Sequence, residues 1–168
     1  MFKNIAAAAA LVVASSTAFA AQPGTFYAGG DVGKTKLENQ SGRATSAGAF
    51  IGYNFHQNFA VEAGYRRLGD YDFHAFGVHG DVNVDQAALS LVGTLPLSSG
   101  FNLFGRVGYN RLEVEGSANG YHAKDSVSKA LIGVGVGYAF TPTISARIEL
   151  QRPASDTHNV SAGVAFQF

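Results

Sequence analysis

Cysteine is missing from all 168 positions, which excludes disulfide staples, thiolate nucleophiles and cysteine-held metals together. An excess of either charge is missing as well. Twelve Lys and Arg face twelve Asp and Glu, so there is no basic field to attract nucleic acid and no acidic tail to mimic it. Charge itself is scarce at 14%, against roughly 25% in an ordinary soluble domain. Beyond residue 20, no segment approaches the roughly 18 consecutive apolar residues that a spanning helix needs. A chain that is 46% hydrophobic yet has no such run can cross a membrane only on strands. What is abundant agrees with that: 21 Gly, 13 Phe and 7 Tyr point to crowded strands, and the length suits a single domain.

The first twenty residues read as an address. Lys3 is followed by an apolar stretch from Ile5 to Val13 and then by Ala18-Phe19-Ala20, small residues at the two positions a signal peptidase reads. The stretch is too short to span a bilayer of roughly 30 Å. The expected division is a signal peptide over 1–20, cleaved between Ala20 and Ala21, and one domain over 21–168.

From Phe26 onward, polarity alternates with period two. In the last segment Val160, Ala162, Val164, Phe166 and Phe168 share one face, and Asn159, Ser161, Gly163, Ala165 and Gln167 the other. The segment before it sets Ile144, Ala146, Ile148 and Leu150 against Ser145, Arg147, Glu149 and Gln151. The same parity separates Phe59, Val61, Ala63 and Tyr65 from Glu62, Gly64 and Arg66, and Leu103, Gly105, Val107 and Tyr109 from Phe104, Arg106 and Gly108. Eight such strands are predicted, over 25–35, 44–55, 59–69, 84–96, 101–115, 127–140, 143–152 and 158–168. The connections alternate between tight turns (His56 to Asn58, Ser98 to Gly100, Thr141 to Thr143) and longer, more polar segments (Lys36 to Arg43, Asp70 to Asn83, Gly116 to Ser126, Pro153 to Thr157).

A soluble antiparallel sandwich would also alternate. Two features favour lipid. Charges within strands lie opposite the aliphatic face, as a lumen requires. Aromatics gather where strands meet the tight turns, at Tyr53, Phe55, Phe59, Phe101, Tyr138, Phe140, Phe166 and Phe168, like an interfacial girdle. The expected fold is all-β: an eight-stranded antiparallel up-and-down transmembrane β-barrel.

Three stretches carry a family resemblance: Phe26-Tyr27-Ala28-Gly29; Ala47-Gly48-Ala49-Phe50 with Gly52-Tyr53, then Glu62, Gly64-Tyr65 and Leu68-Gly69; and Tyr138-Ala139-Phe140-Thr141-Pro142 leading into Ala146-Arg147-Ile148-Glu149. With these the chain resembles the OmpA-type small outer-membrane barrels. The closing Ser161-Ala162-Gly163-Val164-Ala165-Phe166-Gln167-Phe168 resembles the family's C-terminal assembly signal. The resemblance implies that barrel-assembly machinery recognises this strand through Gly163, Phe166 and Phe168. It also implies residence in the outer membrane of a Gram-negative bacterium after secretion to the periplasm. Two departures stand out. Larger members carry a peptidoglycan-binding domain after the barrel, whereas nothing follows Phe168, so cell-wall tethering is not expected. The family's luminal Lys on strand four and acid late in strand six match Val92 and Gly137, so the luminal ion pairs must be rewired.

An eight-stranded barrel is just wide enough to be filled by its own side chains. The inward charges are Asp31, Glu62 and Glu149 against Arg66, Arg106 and Arg147, and mutual pairing with trapped water is expected because unpaired charges there cost several kcal/mol. Gly133, Gly135 and Gly137 also face inward, leaving space for larger opposing side chains or water.

Chemistry beyond this is not expected. Gly133-Val134-Gly135-Val136-Gly137 lacks the helix and the spacing of a dinucleotide loop. His74, His79 and His122, near Asp81 and Asp125, match no metal signature. His158, Ser161 and Glu149 could form a lipid-modifying triad, but their parities separate nucleophile from base. No cofactor is expected. The reading is a monomeric outer-membrane scaffold, held among outer-membrane lipids, whose long segments contact a host or surface ligand; Asp70 to Asn83, with Tyr71, Phe73 and Phe76, is the leading contact segment. The alternatives are a narrow channel gated by luminal charge pairs and a lipid-modifying enzyme.

Overall fold

The computed structural model describes residues 22–37, 43–75, 78–118, 121–155 and 157–168; for 37, 43, 69–75, 78–83, 114–118 and 121–124 it describes the backbone alone. Residues 1–21, with the Ala18, Ala20 and Ala21 cleavage positions, lie outside that set.

Eight antiparallel strands form a closed barrel in chain order: β1 (Thr25–Leu37), β2 (Arg43–His56), β3 (Phe59–Ala75), β4 (Val78–Pro96), β5 (Phe101–Ala118), β6 (Tyr121–Ala139), β7 (Ile144–Ala154) and β8 (Thr157–Gln167). The fold expected from alternation is the fold observed. β1 pairs with β8, so no edge strand remains. The seam runs to the last residue: the Phe26 and Phe168 backbones exchange hydrogen bonds of 3.0 and 2.8 Å.

The register fixes the shape. Paired residues can be followed once around the wall as Thr25, Asn54, Ala60, Val92, Arg106, Gly133, Gln151 and Asn159, returning to β1 at Thr35. The circuit climbs ten residues (35 − 25). With eight strands, that stagger sets a tilt of about 40°, inside the usual range for barrels of this size.

Polarity sorts by face. Val32, Tyr65, Leu89, Val107, Tyr109, Val134 and Val164 are each more than half exposed on the outer wall, which a bilayer covers. Glu62, Glu149, Asn110, Asn159 and Ser46 are almost completely buried inside. The tight turns and the Phe168 terminus share one end; Ser99 and Gly100, both at positive φ, close the β4–β5 turn there.

The opposite end differs from the sequence reading. Asp70 to Asn83 and Gly116 to Ser126 are not simple loops: the ladders continue to Ala75↔Val78 and Ala118↔Tyr121, and β7–β8 pairs as far as Ala154↔Thr157. These stretches are rich in polar residues and glycine, Gly77, Gly80, Gly116 and Gly120 among them, which reads as turn although the backbone pairing goes on. The side chains of Tyr71 and Phe73, and all of Phe76, lie outside the described set, as do the side chains of His74, His79, Asp81 and His122.

Candidate functional site: the luminal charge network

Glu62 of β3 sits at mid-lumen with 1% exposure. Its Oε1 accepts from Arg106 Nη2 at 2.8 Å and from Arg147 Nη2 at 3.2 Å; its Oε2 accepts from Arg147 Nη1 at 2.7 Å and from the Tyr27 hydroxyl at 2.9 Å. Glu149 of β7 completes the group, with Oε1 2.6 Å from Arg106 Nε and Oε2 4.0 Å from Arg147 Nη2. Two acids therefore neutralise two guanidinium groups, and each arginine touches both acids. A buried ion is costly alone and tolerable only with such pairing.

A second cluster lies further toward the long-hairpin end. Arg66 Nη2 donates to Asp31 Oδ2 at 2.8 Å, and Nη1 to Asn159 Oδ1 at 2.6 Å. The Asn159 amide then donates to Thr35 Oγ1 at 3.0 Å and Ser46 Oγ at 2.7 Å. All six inward charges are thus brought into two groups, and each group sums to zero.

Glycine supplies the room. Five bulky luminal side chains lie beside a glycine of the adjacent strand: Tyr27 beside Gly52, Phe50 beside Gly29, Phe104 beside Gly135, Arg106 beside Gly133, and Arg147 between Gly137 and Gly163. A Cβ at Gly52 would strike the Tyr27 ring, and one at Gly29 or Gly135 the ring of Phe50 or Phe104. At Gly133 it would lie 2.7 Å from Glu149 Oε1 and 3.0 Å from Arg106 Cγ. The space at 133, 135 and 137 is filled by Arg106, Phe104 and Asn102.

Packing closes the middle of the lumen. The cavity among Asp31, Phe50, Glu62, Arg66, Arg106 and Arg147 holds about 20 Å³, room for about one water. A wider vestibule of about 150 Å³, lined by Tyr27, Asn54, Asn102, Phe104, Ser145 and Arg147 among others, opens at the short-turn end.

The family model for the outer membrane protein beta-barrel domain matches residues 6–168. The chain belongs to that family. Solved barrels of the same fold include the N-terminal domain of Pseudomonas aeruginosa OprF (18% identity, TM-score 0.62, covering 88% of this chain and 100% of that one). Neisserial surface protein A has 17% identity, a TM-score of 0.66, and coverage of 85% and 97%. The attachment invasion locus protein Ail of Yersinia pestis, solved with the heparin analogue sucrose octasulfate, has 14% identity, a TM-score of 0.60, and coverage of 88% and 100%. No curated protein matches the sequence.

In this outer-membrane barrel, residues that a charge count passes over are part of the site. Tyr27 donates to Glu62, Phe50 lies under the Arg147 guanidinium, and Asn159 accepts from Arg66. Their inward parity was visible in the sequence; their partners depend on register. Val92 packs with Ala60 and Phe104, while Gly137 accommodates Asn102. Gly163 is luminal, against Asp31, whereas Phe166 and Phe168 stack on the outer wall with ring centroids 6.3 Å apart. Glu149 and Ser161 pair across β7 and β8 inside the barrel, and His158 borders the outer wall.

Proposed function

We propose that this protein is an outer-membrane scaffold that presents the hairpins of its long end to ligands at the cell surface. The observation that carries the reading is the filled lumen: Glu62, Arg106 and Glu149, each at most 5% exposed, meet across it. A barrel closed in the middle has its outer ends left for recognition. Ail, solved with a sulfated sugar analogue, is a barrel of the same fold, which makes an anionic surface sugar a first ligand to try. In this reading residues 1–20 direct export to the periplasm. The C-terminal strand, through Gly163, Phe166 and Phe168, is taken up by the assembly machinery, and the barrel then stands as a monomer among outer-membrane lipids without catalysing a reaction.

A narrow gated channel is the second reading. It is favoured by one observation: Arg106 and Arg147 each have two acids within 4.0 Å, so pairs could exchange partners without losing neutrality. Single-channel recording of the refolded mature protein in planar bilayers separates the two. The scaffold reading expects silence from wild type, Glu62→Ala and Arg147→Ala alike. Openings that change in the variants would make the network a gate.

A further inference from the structure

The outer wall is not uniformly smooth. Gly93 and Gly105, paired across β4 and β5, both face outward and leave a bare strip. On one side of it a groove of about 450 Å³ runs past Val107, Ile132, Val134 and Leu150, apolar along its length, and ends at Arg152 and His158. On the other side a second groove continues past Gly93 to Phe59 near the short turns.

The bareness is not imposed by the barrel's interior. A Cβ at Gly105 would meet nothing closer than the Gly133 carbonyl at 3.8 Å, and at Gly93 nothing closer than the Phe59 ring at 3.5 Å. Gly133, Gly135 and Gly137, by contrast, are each crowded by luminal side chains.

The upper end of the groove is cationic. Arg152 lies directly across from Ile132 and two residues from the Ala154↔Thr157 pair that closes the β7–β8 ladder. Its guanidinium is held there by donation to the Ser155 carbonyl, with Nε at 3.1 Å. Lys36, opposite His158 in the β1–β8 ladder, and exposed Lys34, opposite Val160, add positive charge along the same margin. Charge complementarity therefore selects the occupant. An apolar trench open to the bilayer, with cations where it reaches the headgroups, fits an acyl chain whose headgroup bears phosphate.

We propose that the β5–β7 wall is a binding site for a phosphorylated lipid of the outer leaflet, with an acyl chain over Gly105 and its phosphate at Arg152 and Lys36. This rests on the orientation in which the long hairpins face outward, but not on what those hairpins bind.

The test is native mass spectrometry of the folded, detergent-solubilised protein with lipid A, against phosphatidylcholine at equal concentration. Heat-modifiable migration checks that every variant is folded. Wild type is expected to retain one lipid A and little phosphatidylcholine. Gly105→Leu fills the trench and should abolish retention, whereas Ala49→Leu, the same kind of change on the β2 wall, should leave it intact. The double variant Lys36→Gln/Arg152→Gln disturbs no packed side chain and should cut the preference for lipid A roughly thirtyfold, the size expected for two cations at a headgroup surface. Equal retention of both lipids by wild type, undiminished retention by Gly105→Leu, an unchanged preference in the double variant, or a dimer of the chain in place of the lipid adduct would each overturn the site. Silence or conduction in planar bilayers bears on the lumen and leaves this result standing.

Discussion

The Arg147 guanidinium lies 3.5 Å from the centroid of the Phe50 ring while donating to Glu62 at 2.7 Å. Strand β7 thereby reaches across the lumen to β2 and β3. The aromatic face and the carboxylate fix the guanidinium from two directions, which makes Arg147 a cross-brace as well as a counter-ion.

Glu62 is the group this brace depends on. In Glu62→Ala, Arg106 and Arg147 would share Glu149 alone and the Tyr27 hydroxyl would lose its acceptor. Breaking a buried pair from one side costs about 3–5 kcal/mol. Urea unfolding in detergent, followed by gel mobility, should show a loss of that size for Glu62→Ala. Glu62→Gln, which retains an acceptor for one donor, should lose less.

Glycine substitutions should divide by face. At Gly135 a Cβ would run into the Phe104 ring and the Ile148 carbonyl, the second of which is backbone and yields little. Overpacking of this kind costs about 1–3 kcal/mol. Gly135→Ala is therefore expected to lower the urea midpoint, and Gly105→Ala, with open space around it, to leave the midpoint where it was.

That contrast marks what the sequence could tell. Strand number, the inward charges and the tight turns were legible because lipid and lumen impose opposite polarities on alternate residues. Which residues become neighbours was not. Tyr27 meets Gly52, and Arg147 sits between Gly137 and Gly163, because of a ten-residue stagger that belongs to the closed sheet and to no single segment. The extensions of β3 to Ala75 and β5 to Ala118 were hidden for another reason: Asp, Asn, Ser and Gly crowd these stretches and read as turn. Asn159 stands on the polar face in the sequence, but a neutral amide there carries no signal that sets it apart from Ser161 or Gln167.

Asn159 joins four strands, accepting from Arg66 on β3 and donating to Thr35 on β1 and Ser46 on β2. Leaving buried partners unsatisfied costs about 1–3 kcal/mol per group. Asn159→Ala should weaken the β1–β8 closure, read as faster hydrogen exchange along Thr35 and Gly33. Asn159→Asp keeps an acceptor for Arg66 but loses both donors and adds a carboxylate near Asp31, so it should not restore the wild-type rate.

Phe168 contributes a ring to the outer wall and its backbone to the seam with Phe26. In Phe168→Ala the backbone bonds survive. Refolding into detergent should then proceed to near the wild-type yield, while the amount reaching the outer membrane in cells falls several-fold. A parallel drop in both would show that the ring acts through barrel stability and would remove the assembly machinery from the account.

The β3–β4 hairpin offers the sharpest separation of scaffold from recognition. Asp70 pairs with Asn83, and the ladder beyond them runs outward to Ala75 and Val78 without entering the barrel circuit traced from Thr25 to Thr35. Deleting 71–82 joins two strands that are already in register, and a two-residue connection suffices for antiparallel neighbours. The luminal network lies below the cut and keeps all its contacts. The urea midpoint and the heat-modifiable shift should therefore be unchanged, while retention of cells or purified protein on a sulfated-sugar surface falls. If binding persists, the contact surface belongs to the β1–β2, β5–β6 or β7–β8 connection. If the barrel itself fails to form, the extended ladder is part of the folding unit and cannot be regarded as a detachable surface.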